Sequence, residues 1–308
     1  MPTLALFYEE NIRLHQIELK GHFRALTFDP QDRYATLVGN DGKIIRMVNH
    51  EIINLDSNIQ SHLRGVSANP TDGSLLIVGN TGTVLRFKES AVGVVSSLIE
   101  NLRTVAWNAT GTMALIGGNA GSLLKYSNNS LLTNLGVARA NLRRVSWHPR
   151  KNCALITSNC FADEFLPSPN LYQYDDESGE LTPVNEGRVD LIGVDRHPNG
   201  ATALFVGYDV VWHNGFIGQF DGQTLTPIEF NNKQVYPVAV SWNYSGDLGA
   251  ICTSGPQPGM GKGSLRMWDG QRLRTIFESD KIFFSAVSWN HHGTLIALGS
   301  PANRTFSC

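Results

Sequence analysis

Cysteine is scarce in this chain: four residues (153, 160, 252 and 308) among 308. That is no disulfide framework at this length. Cys153 and Cys252 sit in apolar, strand-like stretches, where a free thiol acts as a small hydrophobe. Cys153 and Cys160 are close enough in sequence to share a metal, but no further ligands accompany them, so no metal site is expected. Charge is also sparse, at 17% of residues with a net of -2, which excludes a general nucleic-acid binder. No apolar run approaches membrane-spanning length. The stretch Met1 to Glu10 lacks a basic head and soon turns acidic, so neither a secretory leader nor membrane association is expected. The expected location is the cytoplasm, where the Asn-x-Ser/Thr triplets at Asn108, Asn128 and Asn243 carry no meaning. Gly-x-Ser-x-Gly, His-Glu-x-x-His and Gly-x-x-x-x-Gly-Lys-Ser/Thr are all absent. The glycine-rich run 259–263 lacks the strand-to-helix setting of a phosphate loop, and no cofactor is expected.

What the chain does contain is a phrase used seven times: apolar-Arg-x-Val-small-aromatic, then Asn, Asp or His opening a turn. Four copies are close: Phe23-Arg24 to Asp29-Pro30, Leu63-Arg64 to Asn69-Pro70, Leu102-Arg103 to Asn108, and Leu142-Arg143 to His148-Pro149. Three looser copies end at His197, Asn243 and Asn290. The aromatic slot falls at 28, 68, 107, 147, 196, 242 and 289, giving steps of 40, 39, 40, 49, 46 and 47 residues. A fixed period of this size means one supersecondary unit copied along the chain. Residues 102–135 show the unit. Leu102 to Trp107, Met113 to Gly117, Ser122 to Tyr126 and Leu131 to Leu135 read as four short strands separated by Gly/Asn turns. Such a sheet has two apolar faces and cannot bury both alone; arranged radially, the copies bury each other.

The expected architecture is therefore all-β, a single seven-bladed β-propeller over residues 1–308 with four-stranded antiparallel blades. The seventh copy supplies only two strands, within 285–299, so residues 3–19 are expected to complete that blade and close the ring. Residues 300–308 form an unassigned tail. In register, His148 and His197 fill a slot held elsewhere by Asn or Asp, which marks them as turn residues rather than metal or catalytic histidines. Small residues dominate the inner strands, Arg144 and Asp195 excepted, and no ring of carboxylates and imidazoles accompanies them.

The pattern resembles the WD-repeat propeller family. Leu102 to Gly111 is similar to that family's first strand and turn, and Gly39-Asn40-Asp41-Gly42 to its second-to-third strand turn. Gly21-His22 and Trp268-Asp269 stand where its Gly-His and Trp-Asp pairs would be, each in one blade only; Tyr174-Asp175 and Phe220-Asp221 are partial substitutes. The resemblance implies a rigid platform for protein partners.

Strand direction puts the starts of first strands and the second-to-third strand loops on one face. Arg24, Arg64, Arg103 and Arg143 would form a basic arc there, suited to carboxylate or phosphate. The loops of blades four to six are long and bring Phe161, Asp163, Glu164, Phe165, Trp212, His213, Met260 and Lys262 to the same face. These twelve residues are the expected partner-binding set, for a protein or acidic peptide. The apolar members could instead fold down over their own blades. Charge is segregated along the chain: residues 101–160 hold seven Lys/Arg and no acid, whereas residues 161–195 hold nine Asp/Glu and one Arg. The expected function is non-catalytic protein binding. The alternative is a small-ligand or hydrolytic site at the channel mouth, using Asp163, Glu164, His213 and the arginines.

Overall fold

A computed structural model describes residues 3–8, 11–19, 21–49, 51–88, 91–97, 99–127, 132–135, 140–159, 168–209, 211–230, 235–255 and 262–301. Among them the structure is all strand and turn, apart from two three-residue 3-10 turns at Asn40–Gly42 and Asn119–Gly121. No helix is long and apolar enough to cross a membrane.

Six sheets are each one uninterrupted run of four antiparallel strands, and these are blades one to six. Their first strands are Phe23–Phe28, Leu63–Ala68, Leu102–Trp107, Leu142–Trp147, Val189–Arg196 and Tyr236–Trp242. The expectation of seven like blades is corrected on this count to six. The last copy of the repeated phrase carries only two strands, Ile282–Trp289 and Thr294–Pro301. The sheet that contains them is a composite: Thr3–Tyr8 pairs with Thr294–Pro301, and Asn11–Glu18 lies outside Thr3–Tyr8.

The chain divides into two compact units. Phe23–Gly187 holds blades one to four. Met1–His22 with Arg188–Cys308 holds blades five and six and the composite sheet. Within each unit, first strands pack against the first strands of successive sheets. The core lies between sheets. Ala25, Val38 and Ile44 of blade one meet Leu63, Leu75 and Phe87 of blade two. Leu204, Val206 and Ile217 of blade five meet Trp242, Ile251 and Trp268 of blade six. Within each unit, neighbouring blades thus bury apolar faces on one another, the way a sheet that is apolar on both sides dries.

The turn slot after each first strand works as its short polar side chains suggest. Asn108 Oδ1 accepts from the Thr112 and Met113 N–H groups, and Asn243 Oδ1 from those of Gly246 and Leu248. His148 Nδ1 accepts from Arg150 and Lys151, and His197 Nδ1 from Asn199. Both histidines are turn residues. His197 Nε2 lies 2.8 Å from Gly246 O and donates to it, tying blade five to blade six.

Asp29 holds this slot in blade one and binds Arg33 through both carboxylate oxygens at 2.8 Å. Burial pushes the Asp29 carboxyl upward, but hydrogen bonds from Arg33 and the Gln31 N–H outweigh it, so it titrates below the ordinary range. A lowered folded pKa stabilises above the unfolded value and is lost as pH falls through the folded one. Arg33 is well exposed, so screening keeps the contribution small. Asp29→Asn, the residue found here in blades two and three, is expected to cost less than about 1 kcal/mol at neutral pH. The deficit should shrink toward zero below pH 4 in chemical denaturation; a deficit that persists there would contradict the ion-pair account.

Candidate basic interface

Every first strand carries a β-bulge at the same place. The register slips between Phe23 and Ala25, Leu63 and Gly65, Leu102 and Thr104, and Leu142 and Arg144. It slips likewise between Leu191 and Gly193, Pro237 and Ala239, and Phe284 and Ala286. The extra residue is left out of the ladder, and a bulge of this kind re-aims its side chain. In unit 23–187 the extra residue is Arg24, Arg64, Arg103 or Arg143; in the other unit it is Ile192, Val238 or Ser285.

Each arginine is then fixed in the same way. Arg24 Nε donates to Asn40 Oδ1 at 2.7 Å and Arg64 Nε to Asn80 Oδ1 at 2.8 Å. Arg103 Nε donates to Asn119 Oδ1 and Arg143 Nε to Asn159 Oδ1. The spacing is 16 residues every time. The asparagines open the second-to-third strand turns, whose next residues, Asp41, Thr81 and Ala120, have φ of 56°, 53° and 52°. The N–H groups of these left-handed residues donate into the following blade: to His62 Nδ1, Asn101 Oδ1 and Asn141 Oδ1, at 3.0 to 3.1 Å. Each acceptor stands two residues before the next arginine. One hydrogen-bonded chain therefore runs turn to strand to turn and holds all four guanidinium groups half-buried on one unit.

Arg24 titrates below the ordinary arginine value, first because it is buried and second because the Arg64 charge is near. That repulsion places the two guanidinium groups in one local field, which a carboxylate or phosphate would relieve. The sequence alone did not single out the pinning asparagines. The constant 16-residue spacing was the available signal, but a Gly-Asn turn already explains an asparagine without a partner.

The remaining expected site residues fall differently. Trp212 and His213 lie on the Asp209–Asn214 loop of blade five. Asp209 Oδ1 accepts from the Val211 and Trp212 N–H groups, both at 2.8 Å, and the Asp209 N–H donates to Asn214 O. His213 takes φ 52°. This pinned turn presents Trp212 at 74% exposure beside Val211 at 40%. Lys262 is exposed and bonds Glu278 Oε1 at 2.7 Å, which raises its pKa. Phe161, Asp163, Glu164, Phe165 and Met260 lie outside the described residues, as does Cys160. Among the described residues, no group of three or more His, Cys, Asp or Glu side chains is arranged to hold a metal.

No protein-family model and no curated protein matches the chain. Solved structures do. Kuenenia stuttgartiensis hydrazine synthase superposes with a TM-score of 0.70 at 10% identity, covering 90% of this chain and 93% of that one. The Myceliophteria thermophila Cps50 (Swd1) β-propeller domain superposes with a TM-score of 0.68 at 10% identity, covering 92% and 97%. The fold is that of a β-propeller, which fixes architecture and leaves function to the site.

Proposed function

We propose that the chain is a divergent WD-repeat propeller that works without catalysis, in the cytoplasm, as a binding platform for a protein carrying an acidic segment. The supporting observation is the arginine–asparagine arc: four guanidinium groups, each on a bulge and each held at Nε by an asparagine of its own blade. A fork held before binding loses little freedom on binding, so it contributes more per contact than a floppy surface lysine. The fold is widely used as a scaffold, and scaffold binding needs no reactive group. The Trp212 loop is a further contact for the same class of partner, since an ordered, exposed tryptophan suits an interface core.

The test is fluorescence polarisation with a labelled hepta-glutamate peptide. The wild-type chain should bind in a salt-dependent manner. Arg64→Glu/Arg103→Glu should weaken binding about a hundredfold, two charge-assisted contacts at roughly 1.4 kcal/mol each. Equal affinity of the double variant would remove the arc from the binding site.

A further inference from the structure

The repeats provide an internal comparison for the spaces between blades. On the third strand of each blade, the residue before the terminal aromatic slot is Arg46, Arg86, Lys125, Gln173, Gln219 or Met267, in blades one to six. The register of strands two and three makes these positions equivalent.

In two of the three blades where the residue is cationic it reaches the next blade; Arg86 of blade two instead pairs with Asp72 of its own blade at 3.5 Å. The Arg46 guanidinium of blade one stands 5.3 Å from the ring centroid of Phe87, the third-strand aromatic of blade two, and 4.3 Å from that of Tyr34. Lys125 of blade three donates to Asp176 Oδ1 of blade four, which also accepts from the Tyr174 hydroxyl at 2.8 Å. Both spaces hold a cation supplied by the chain, set against an aromatic or a carboxylate.

Between blades five and six the same position is Gln219, and there a groove is open. One lobe of about 490 Å³ is lined by Gln219, Asp221, Pro227, Glu229, Trp268 and Leu273, among others. A second of about 330 Å³ shares Gln219 and Trp268 and adds His197, Trp242, Asp247 and Asp269. Among the described residues, no Lys or Arg lines either lobe. Asp269 is matched by Arg274 at 2.9 Å. Asp221 is held ionised by the Thr224 and Gln223 N–H groups. Glu229 and Asp247 add two further carboxylates to the lining. Trp242 and Trp268 are each 8% exposed, so the rings give the groove a firm apolar wall.

We infer that the groove between blades five and six receives a lysine or arginine side chain from a basic segment of a partner protein, in the place that Arg46 and Lys125 fill internally. The aliphatic stem lies along Trp268, Leu273 and Pro227, and the charge meets Asp221 and Glu229. A peptide side chain rather than a free polyamine is assigned because the equivalent spaces are filled by side chains of this chain, an arginine beside Phe87 and a lysine on Asp176. This site lies on blades five and six and does not depend on the arginine arc.

The probe is a labelled hepta-lysine amide in fluorescence polarisation. Gln219→Lys restores the internal cation, and Glu229→Lys reverses an exposed rim charge without touching the core. Each should weaken hepta-lysine binding about tenfold and leave hepta-glutamate binding unchanged. Absence of wild-type binding would overturn the inference, as would undiminished binding by Glu229→Lys with circular dichroism unaltered. An equal loss in Glu51→Lys, an exposed acid on blade one, would reduce the effect to net charge and overturn it as well. Spermine binding as tightly as hepta-lysine would overturn the assignment to a peptide.

Discussion

Removal of residues 1–19 should abolish cooperative folding of the unit that contains blades five and six. In the composite sheet, Thr294–Pro301 is hydrogen-bonded on one side to Ile282–Trp289 and on the other to Thr3–Tyr8. The latter ladder has six consecutive pairs, Thr3↔Gly299 through Tyr8↔Thr294. Leu295, Ile296, Ala297 and Leu298 are essentially buried. Truncation strips their strand of a whole hydrogen-bonded edge and thins the cover over these side chains. Full exposure of a buried aliphatic side chain costs about 1.5–3 kcal/mol, and the total stability of a domain is roughly 5–15 kcal/mol. Partial loss at four positions plus a bare edge is enough to remove the margin, and a bare edge also recruits other chains. The expected result is aggregation in size-exclusion chromatography and a lost or strongly lowered melting transition. A synthetic peptide of residues 1–19 should restore the transition by adding back as a strand. A truncated chain that melts like the intact one, as a monomer, would contradict the composite sheet.

The second large effect is expected at Gly207, where a single methyl group has nowhere to go. This residue pairs with Leu191, immediately before the blade-five bulge. A Cβ there would lie 1.9 Å from Asp190 O and 2.9 Å from its carbonyl carbon. Both obstacles are backbone, and Asp190 is itself buried, so no side chain can rotate away. Gly207→Ala should therefore cost more than about 4 kcal/mol, at least about 6 °C of melting temperature in a chain this size. Gly179→Ala is the matched control. Gly179 has φ +72°, and nothing lies within 4 Å of where an added methyl group would stand, so only left-handed strain applies, about 1–2 kcal/mol. Comparable melting temperatures for the two variants would show that close backbone approach is not what requires glycine at 207.

Much of the local plan was legible in the chain. The phrase around Leu102 to Asn108 reads as strand and turn from alternation and turn chemistry, and Leu102–Trp107, Met113–Gly118, Leu123–Ser127 and Leu132–Asn134 are the four strands of that blade. His148 and His197 were readable as turn residues because seven aligned copies show which slot they fill. The bulges were not readable. They carry no obligatory glycine, and alternation over six residues survives a one-residue slip by eye. With the bulge hidden, the arginines were legible as an arc at the starts of first strands but not as residues left out of the ladder, and their asparagine partners looked like ordinary turn residues. The blade count went astray because the sheet expected from both ends of the chain was counted with the six that are each one continuous run. The groove beside Gln219 requires the register of two neighbouring blades at once, which no single stretch of sequence contains.

A residue that sits outside the ladder owes the ladder nothing. The scaffold asks for an apolar group on one side of the bulge and, in every sheet but the one with Arg144, a small one beyond it; between them, arginine, isoleucine, valine and serine all occur. Seven such positions recur, one on the first strand of each of seven sheets, and at none of them does the ladder dictate the residue type. The surface chemistry of this molecule can therefore be rewritten one tooth at a time, and a lineage carrying it can change what it recognises while its architecture stands still.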